Sequence, residues 1–168
     1  DLAKAVDAIA AAHADPVARL AAALRMAQSD VRYQLIALGT GNYKPQAPAQ
    51  TWAIRYGDCK AKTVLLLAML QRMGVKAEPV LANSQHGGLI PTLLPAAQAF
   101  DHVLVRAEVA GESFWLDGTG LGARLADIRN VPRMGYLLPV RSGGAELIEL
   151  PLRANARPST DIDLAYDG

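Results

Sequence analysis

Three short segments carry residues that could act together on a carbonyl group. They are Arg55-Tyr-Gly-Asp-Cys-Lys-Ala-Lys62, Phe100-Asp-His-Val103 and Trp115-Leu-Asp-Gly-Thr119. The first holds the only cysteine of the 168-residue chain, Cys59, at the mouth of the apolar run Val64–Leu70. A thiol becomes a strong nucleophile once it loses its proton, and a helix N-terminus or a nearby cation favours that loss. Lys60 and Lys62 add positive charge beside Cys59, and Asp58 partly opposes them while acting as the helix cap. This activation is incomplete, so the chemistry requires a base. His102 has the side chain for that role. Asp117 can hold one ring nitrogen and fix the tautomer, the division of labour of a catalytic triad.

Each of these residues also has an ordinary structural reading. A lone cysteine is usually a small buried hydrophobe, a lone strand histidine is usually structural, and an aspartate before Gly-Thr usually forms a turn. Only the combination speaks for a cysteine–histidine–aspartate site. A metal site is the weaker alternative, because Cys59, His86 and His102 contain no close ligand pair such as C-x-x-C or H-x-x-x-H.

The elements that must position the three residues can be read from the pattern around them. Residues 100–109 alternate apolar and polar, and residues 112–118 answer them across Ala110-Gly111. This predicts a hairpin with a two-residue turn. Val109 then pairs with Glu112, His102 faces Thr119, and Leu104 faces Asp117. His102 and Asp117 become diagonal neighbours on one face, about 7–8 Å apart at the backbone and within reach of a hydrogen bond. A three-residue turn would put them on opposite faces.

The cysteine helix is expected from Asp58 or Cys59 to Met73, with Gly74 as its stop. Its apolar run predicts burial on nearly all sides, with Lys60, Lys62, Gln71 and Arg72 at the two ends reaching solvent. Two helices are expected before it, over residues 1–14 and from Asp15-Pro16 to about Ala27. His13 falls at the end of the first, where a cation meets the negative end of the helix dipole. Val31–Leu38 reads as a short strand-like or irregular segment. The glycine-rich stretch 39–45 lacks the lysine–serine/threonine tail of a phosphate loop. Pro48 opens a short helix to Arg55. After the cysteine helix, 75–82 reads as a strand that Pro79 places at an edge or a bulge. A loop follows over 83–95, where His86 is the candidate for controlling access to the site. Residues 125–130 read as a helical turn, 136–140 and 146–150 as a strand pair, and 153–168 as a polar tail.

Bulk properties narrow the function classes. The length, with 51% apolar and 20% charged residues, fits one domain with a real core. A net charge of +1 gives no field that would draw nucleic acid or an anionic membrane. The longest apolar run is far shorter than a membrane span. A single cysteine excludes an intrachain disulfide. The chain starts at Asp1 and reads as a piece of a longer protein, so a missing leader carries no weight.

Tyr56-Gly-Asp-Cys-Lys-Ala-Lys62, followed by an apolar helix ending Arg-Met-Gly-Val75, resembles the core motif of bacterial transglutaminase-like domains. Ala77-Glu-Pro-Val-Leu81, Phe100-Asp-His-Val103 and Trp115-Leu-Asp-Gly-Thr119 are similar to the family's later motifs, in the same order. Val31-Arg-Tyr33 and Gly41-Asn-Tyr-Lys-Pro45 resemble one branch, in which this domain follows an N-terminal domain of unknown function, often in exported proteins. The resemblance covers about residues 15–140. It implies an α+β, papain-like fold, a cysteine-bearing helix packed on an antiparallel sheet, and a location outside the cytoplasm. By the same resemblance Cys59 is the nucleophile, His102 the general base and acid, and Asp117 the orienting group. The oxyanion would be held by the Cys59 backbone N–H and an upstream side chain, for which Tyr33 is the candidate, while Trp52 packs. No acidic cluster like the calcium sites of the eukaryotic enzymes is visible, so neither metal nor cofactor is expected.

Two functions follow from this reading. One is an acyl-transfer enzyme acting on protein or peptide amides through a thioester, resolved by water or by an amine. The other is a binding module for a peptide or cell-envelope partner that keeps the fold without turnover.

Overall fold

The computed structural model describes residues 1–35 and 43–151. Three of its α-helices begin where acidic side chains occupy N–H groups that no helical carbonyl can reach. Asp1 accepts from the Ala3 N–H at 2.8 Å and so starts α1 (Leu2–Ala12). Asp15 accepts from Val17 and Ala18 and starts α2 (Pro16–Ser29), with Pro16 at the first helical position. After the two-residue strand β1 (Arg32–Tyr33), α3 (Pro48–Ile54) opens on a proline. It ends at Arg55 in the left-handed region, φ 63°. The chain then runs through β2 (Tyr56–Gly57), which pairs in parallel with β1, into α4 (Cys59–Arg72).

Helix α4 is the centre of the core. Leu65, Leu66, Met69 and Leu70 are fully buried, and α4 packs on α1, α2, α3 and the sheet. Each of these side chains contributes about 1.5–3 kcal/mol by leaving water. Gly74, at φ 72°, follows the helix as expected. The expectation for Lys62 is overturned. It is 1% exposed, because its long side chain turns inward to the carbonyls at the end of α2.

The main sheet has the order β5-β4-β3-β6-β7, all antiparallel, from β3 (Lys76–Ala82), β4 (His102–Val109), β5 (Glu112–Leu116), β6 (Tyr136–Pro139) and β7 (Ile148–Glu149). Val105, Ala107, Phe114 and Leu116 point to the helices. Leu104, Val80, Ala82 and Leu137 form a second cluster with Val131 and Leu150. The hairpin turn is the two-residue one, with Ala110 at φ 51° and Gly111 at φ 80°, and Val109 pairs with Glu112.

Strand β3 lies in the middle of the sheet, so Pro79 is not at an edge. Its carbonyl accepts from the Val140 N–H at 3.0 Å, just past the end of β6. The N–H that proline lacks would point to that same side, where the β6 ladder stops, so the centre of the sheet tolerates it. The segment 83–95 is also more ordered than a plain loop, with a 3-10 helix over Gly87–Thr92. The tail expected over 153–168 and most of the glycine-rich stretch 39–45 lie outside the described residues.

Candidate active site

Cys59 is the first residue of α4 and 8% exposed. Two features place it. Asp58 caps the helix, accepting from the Ala61 N–H at 2.9 Å with one oxygen and meeting the Lys60 ammonium with the other. Gly57 lets the incoming strand lie against the helices, since a Cβ there would stand 2.9 Å from the Ala61 Cβ and 3.1 Å from Thr51 Cγ2. One turn into α4, the buried Thr63 hydroxyl donates to the Val103 carbonyl at 3.1 Å. This bond ties the cysteine-bearing turn to the start of β4, next to His102.

His102 Nε2 lies 2.9 Å from Asp117 Oδ2. The β4–β5 ladder ends at Val105 opposite Leu116, so Asp117 stands one residue past it, in a turn. The other oxygen, Oδ1, accepts from the Thr119 N–H at 2.8 Å and the Thr119 hydroxyl at 2.7 Å. Asp117 is therefore both the turn former and the histidine partner that its two readings separated. On the far side of β4, Asp101 accepts from the Ser84 N–H and hydroxyl, which fixes the chain entering His102.

Burial works against a charge on His102, but hydrogen bonds from Asp117 and Cys59 and their negative charge push its pKa up to about 10. With Nε2 engaged by Asp117, Nδ1 is the nitrogen left for the thiol. Burial would raise the Asp117 carboxyl, yet His102 and Thr119 hold it below the ordinary carboxylate value. The Tyr33 hydroxyl is raised by burial and by the negative potential of Cys59, Asp58 and Asp117, which places it in the same field. Its backbone is fixed by the pairing of Tyr33 with Gly57 in the β1–β2 ribbon.

Cys59 and His102 line a cleft of about 530 Å³ whose walls include Lys60, Leu81, Ala97 and Phe100. His86 is exposed and is not among the lining residues. Its backbone N–H donates to Asn83 Oδ1, which holds it at the start of the 3-10 helix, and the cleft lining takes Ala97, Gln98, Phe100 and Asp101 from the segment that follows. Trp52 is buried in the core with the Arg55 guanidinium stacked 3.5 Å from its ring centre, so it packs. His13 ends α1, where its carbonyl accepts from Arg19. Among the described residues no three His, Cys, Asp or Glu side chains converge to hold a metal ion, and no helix is long and apolar enough to cross a membrane.

No family model and no curated protein matches the sequence. Two solved structures are similar in three dimensions. One is a candidate cysteine protease from Cytophaga hutchinsonii, with TM-score 0.55 and 17% identity over 71% of this chain and 37% of that one. The other is a candidate protease from Parabacteroides distasonis, with TM-score 0.65 and 17% identity over 89% of this chain and 27% of that one. At this identity the likeness speaks to the fold. The chain has the α+β, papain-like fold, and it spans little more than a third of the length of the first neighbour and little more than a quarter of the second.

Proposed function

We propose that the chain is a thiol acyl-transfer enzyme of the transglutaminase-like kind, acting on protein or peptide amides through a thioester on Cys59. The observation that carries this reading is that His102, bonded to Asp117 at 2.9 Å, lines one cleft with Cys59 at the mouth of α4. The two neighbours, named for cysteine-protease or protease activity, support cysteine-dependent chemistry at a carbonyl.

In this mechanism the charged His102 already holds the thiol proton on Nδ1, and the Cys59 thiolate Sγ attacks the amide carbon. The oxyanion receives the Cys59 backbone N–H, which has no helical acceptor, and the Tyr33 hydroxyl, whose raised pKa keeps its proton available for donation. His102 then returns its proton to the leaving ammonia or amine as the C–N bond breaks, leaving a thioester. Water or a second amine, deprotonated by His102, attacks the thioester and restores the thiol. Water gives hydrolysis and the amine gives transfer; an open cleft favours water. A buried Cys59 with no cleft beside it, or a triad too far apart, would favour the binding-module reading; the cleft at Cys59 and the His102–Asp117 bond support the enzyme reading.

The test is labelling with an activated acyl ester. Wild type should form a thioester, and Cys59→Ala and His102→Ala should not while remaining folded by circular dichroism. Equal labelling of all three proteins would sink the proposal.

A further inference from the structure

Lys62 is the one fully buried cation among the described residues, and the mechanism above does not use it. It sits three residues after Cys59 on α4, on the side facing α2. Its ammonium donates to the Gln28 carbonyl in the last turn of α2 and to the Val31 carbonyl just past it. Gln28 is itself buried and reaches the Asp117 loop with both ends of its amide. Nε2 donates to the Asp117 carbonyl at 2.8 Å, and Oε1 accepts from the Ala123 N–H at 2.8 Å. Gly118 lies over the Lys62 stem, where a Cβ would stand 3.3 Å from the lysine Cβ. Cation, amide and loop form one stack beneath Asp117.

We propose that Lys62 is a positioning residue for the site. Through Gln28 it clamps the turn that carries Asp117, and its charge sets the electrostatic balance of the Asp117–His102–Cys59 chain. A buried ammonium close to a carboxylate is attracted strongly where water is excluded. That attraction favours the ionised Asp117, which holds the charge on His102 and, through it, the thiolate. Burial lowers the proton affinity of Lys62 and the negative Asp117 opposes that, so each group steadies the charge of the other. The proposal rests on the acyl-transfer reading for its purpose, but its geometry stands without it.

The experiment is the pH dependence of iodoacetamide alkylation of Cys59, which requires no turnover, in wild type, Lys62→Met and Gln28→Ala. Lys62→Met should move the alkylation midpoint upward by about one pH unit. Gln28→Ala, which keeps the cation and frees the turn, should slow acyl-probe labelling about ten-fold or more. Folded variants with wild-type midpoint and labelling rate would overturn the proposal, because a role confined to stability moves neither. If Lys62→Met does not fold, labelling of Gln28→Ala decides: a wild-type rate overturns the clamp. A wild type that alkylates at Cys59 but never takes the acyl probe would instead remove the acyl-transfer reading, with the Lys62 shift still readable.

Discussion

His102 and Asp117 meet one residue beyond the end of the hairpin ladder, Nε2 to Oδ2 at 2.9 Å, so the turn after β5 sets their distance. The Asp117 carboxylate answers to two partners at once. Thr119 holds one of its oxygens and His102 the other, and Gln28 holds its backbone carbonyl from below. A carboxylate fixed this way costs little entropy when it orients the imidazole, since folding has already immobilised it.

The first prediction concerns stability and pH. The folded-state pKa of His102 is raised from 6.5 to about 10, so the stability from its charged form is fully present below about pH 6.5 and is lost as pH rises toward 10. The Asp117 pKa is depressed below 3.8, so its contribution is present above that value and lost as pH falls through the folded value. The stability gap between wild type and Asp117→Asn should therefore be widest from about pH 4 to 6.5 and should narrow on both sides. Urea unfolding of the two proteins at about pH 5, 8 and 10 measures it. A gap that does not change with pH would contradict the pairing.

The second prediction concerns the clamp between helix and sheet. Thr63→Val keeps the shape of the side chain and removes the hydroxyl that donates to Val103 at 3.1 Å. The buried carbonyl loses a partner, which costs about 1–3 kcal/mol. The same variant should slow acyl labelling of Cys59, because the bond fixes the cysteine turn against the strand that starts at His102. Chemical denaturation and labelling on one preparation separate the two effects, and unchanged values in both would remove the clamp.

Much of the site could be read in the chain before any fold was known. Cys59 begins its helix after an acidic cap, and the turn at Ala110-Gly111 fixes the pairing that brings His102 near Asp117. These are local signals, carried by residues adjacent in sequence. What stayed hidden depends on distant segments. Lys62 looks like an exposed helix-end lysine until α2 presents its terminal carbonyls, and nothing within residues 55–74 announces that. Gln28 gives no local hint that it reaches the Asp117 loop, 89 residues away. Thr63 is one hydroxyl beside an apolar run, and its acceptor lies 40 residues on. Pro79 misled for a related reason. A proline in a strand signals a missing donor, but the place where the neighbouring strand ends decides whether that donor is needed.

The third prediction follows from the hairpin turn. Ala110 adopts φ 51°, a left-handed conformation that costs an L-residue with a Cβ about 1–2 kcal/mol. Asparagine tolerates this region better and is the favoured first residue of such a turn before glycine. Ala110→Asn should therefore stabilise the protein by about 0.5–1 kcal/mol, read as a higher urea midpoint at unchanged slope. The substitution keeps the loop length, so the Val109–Glu112 register is preserved. The turn also lies at the opposite end of the hairpin from His102. Acyl labelling of Cys59 should accordingly match wild type while stability rises. A fall in labelling would mean that the turn acts on the site by a route other than strand register, because the register itself is unchanged.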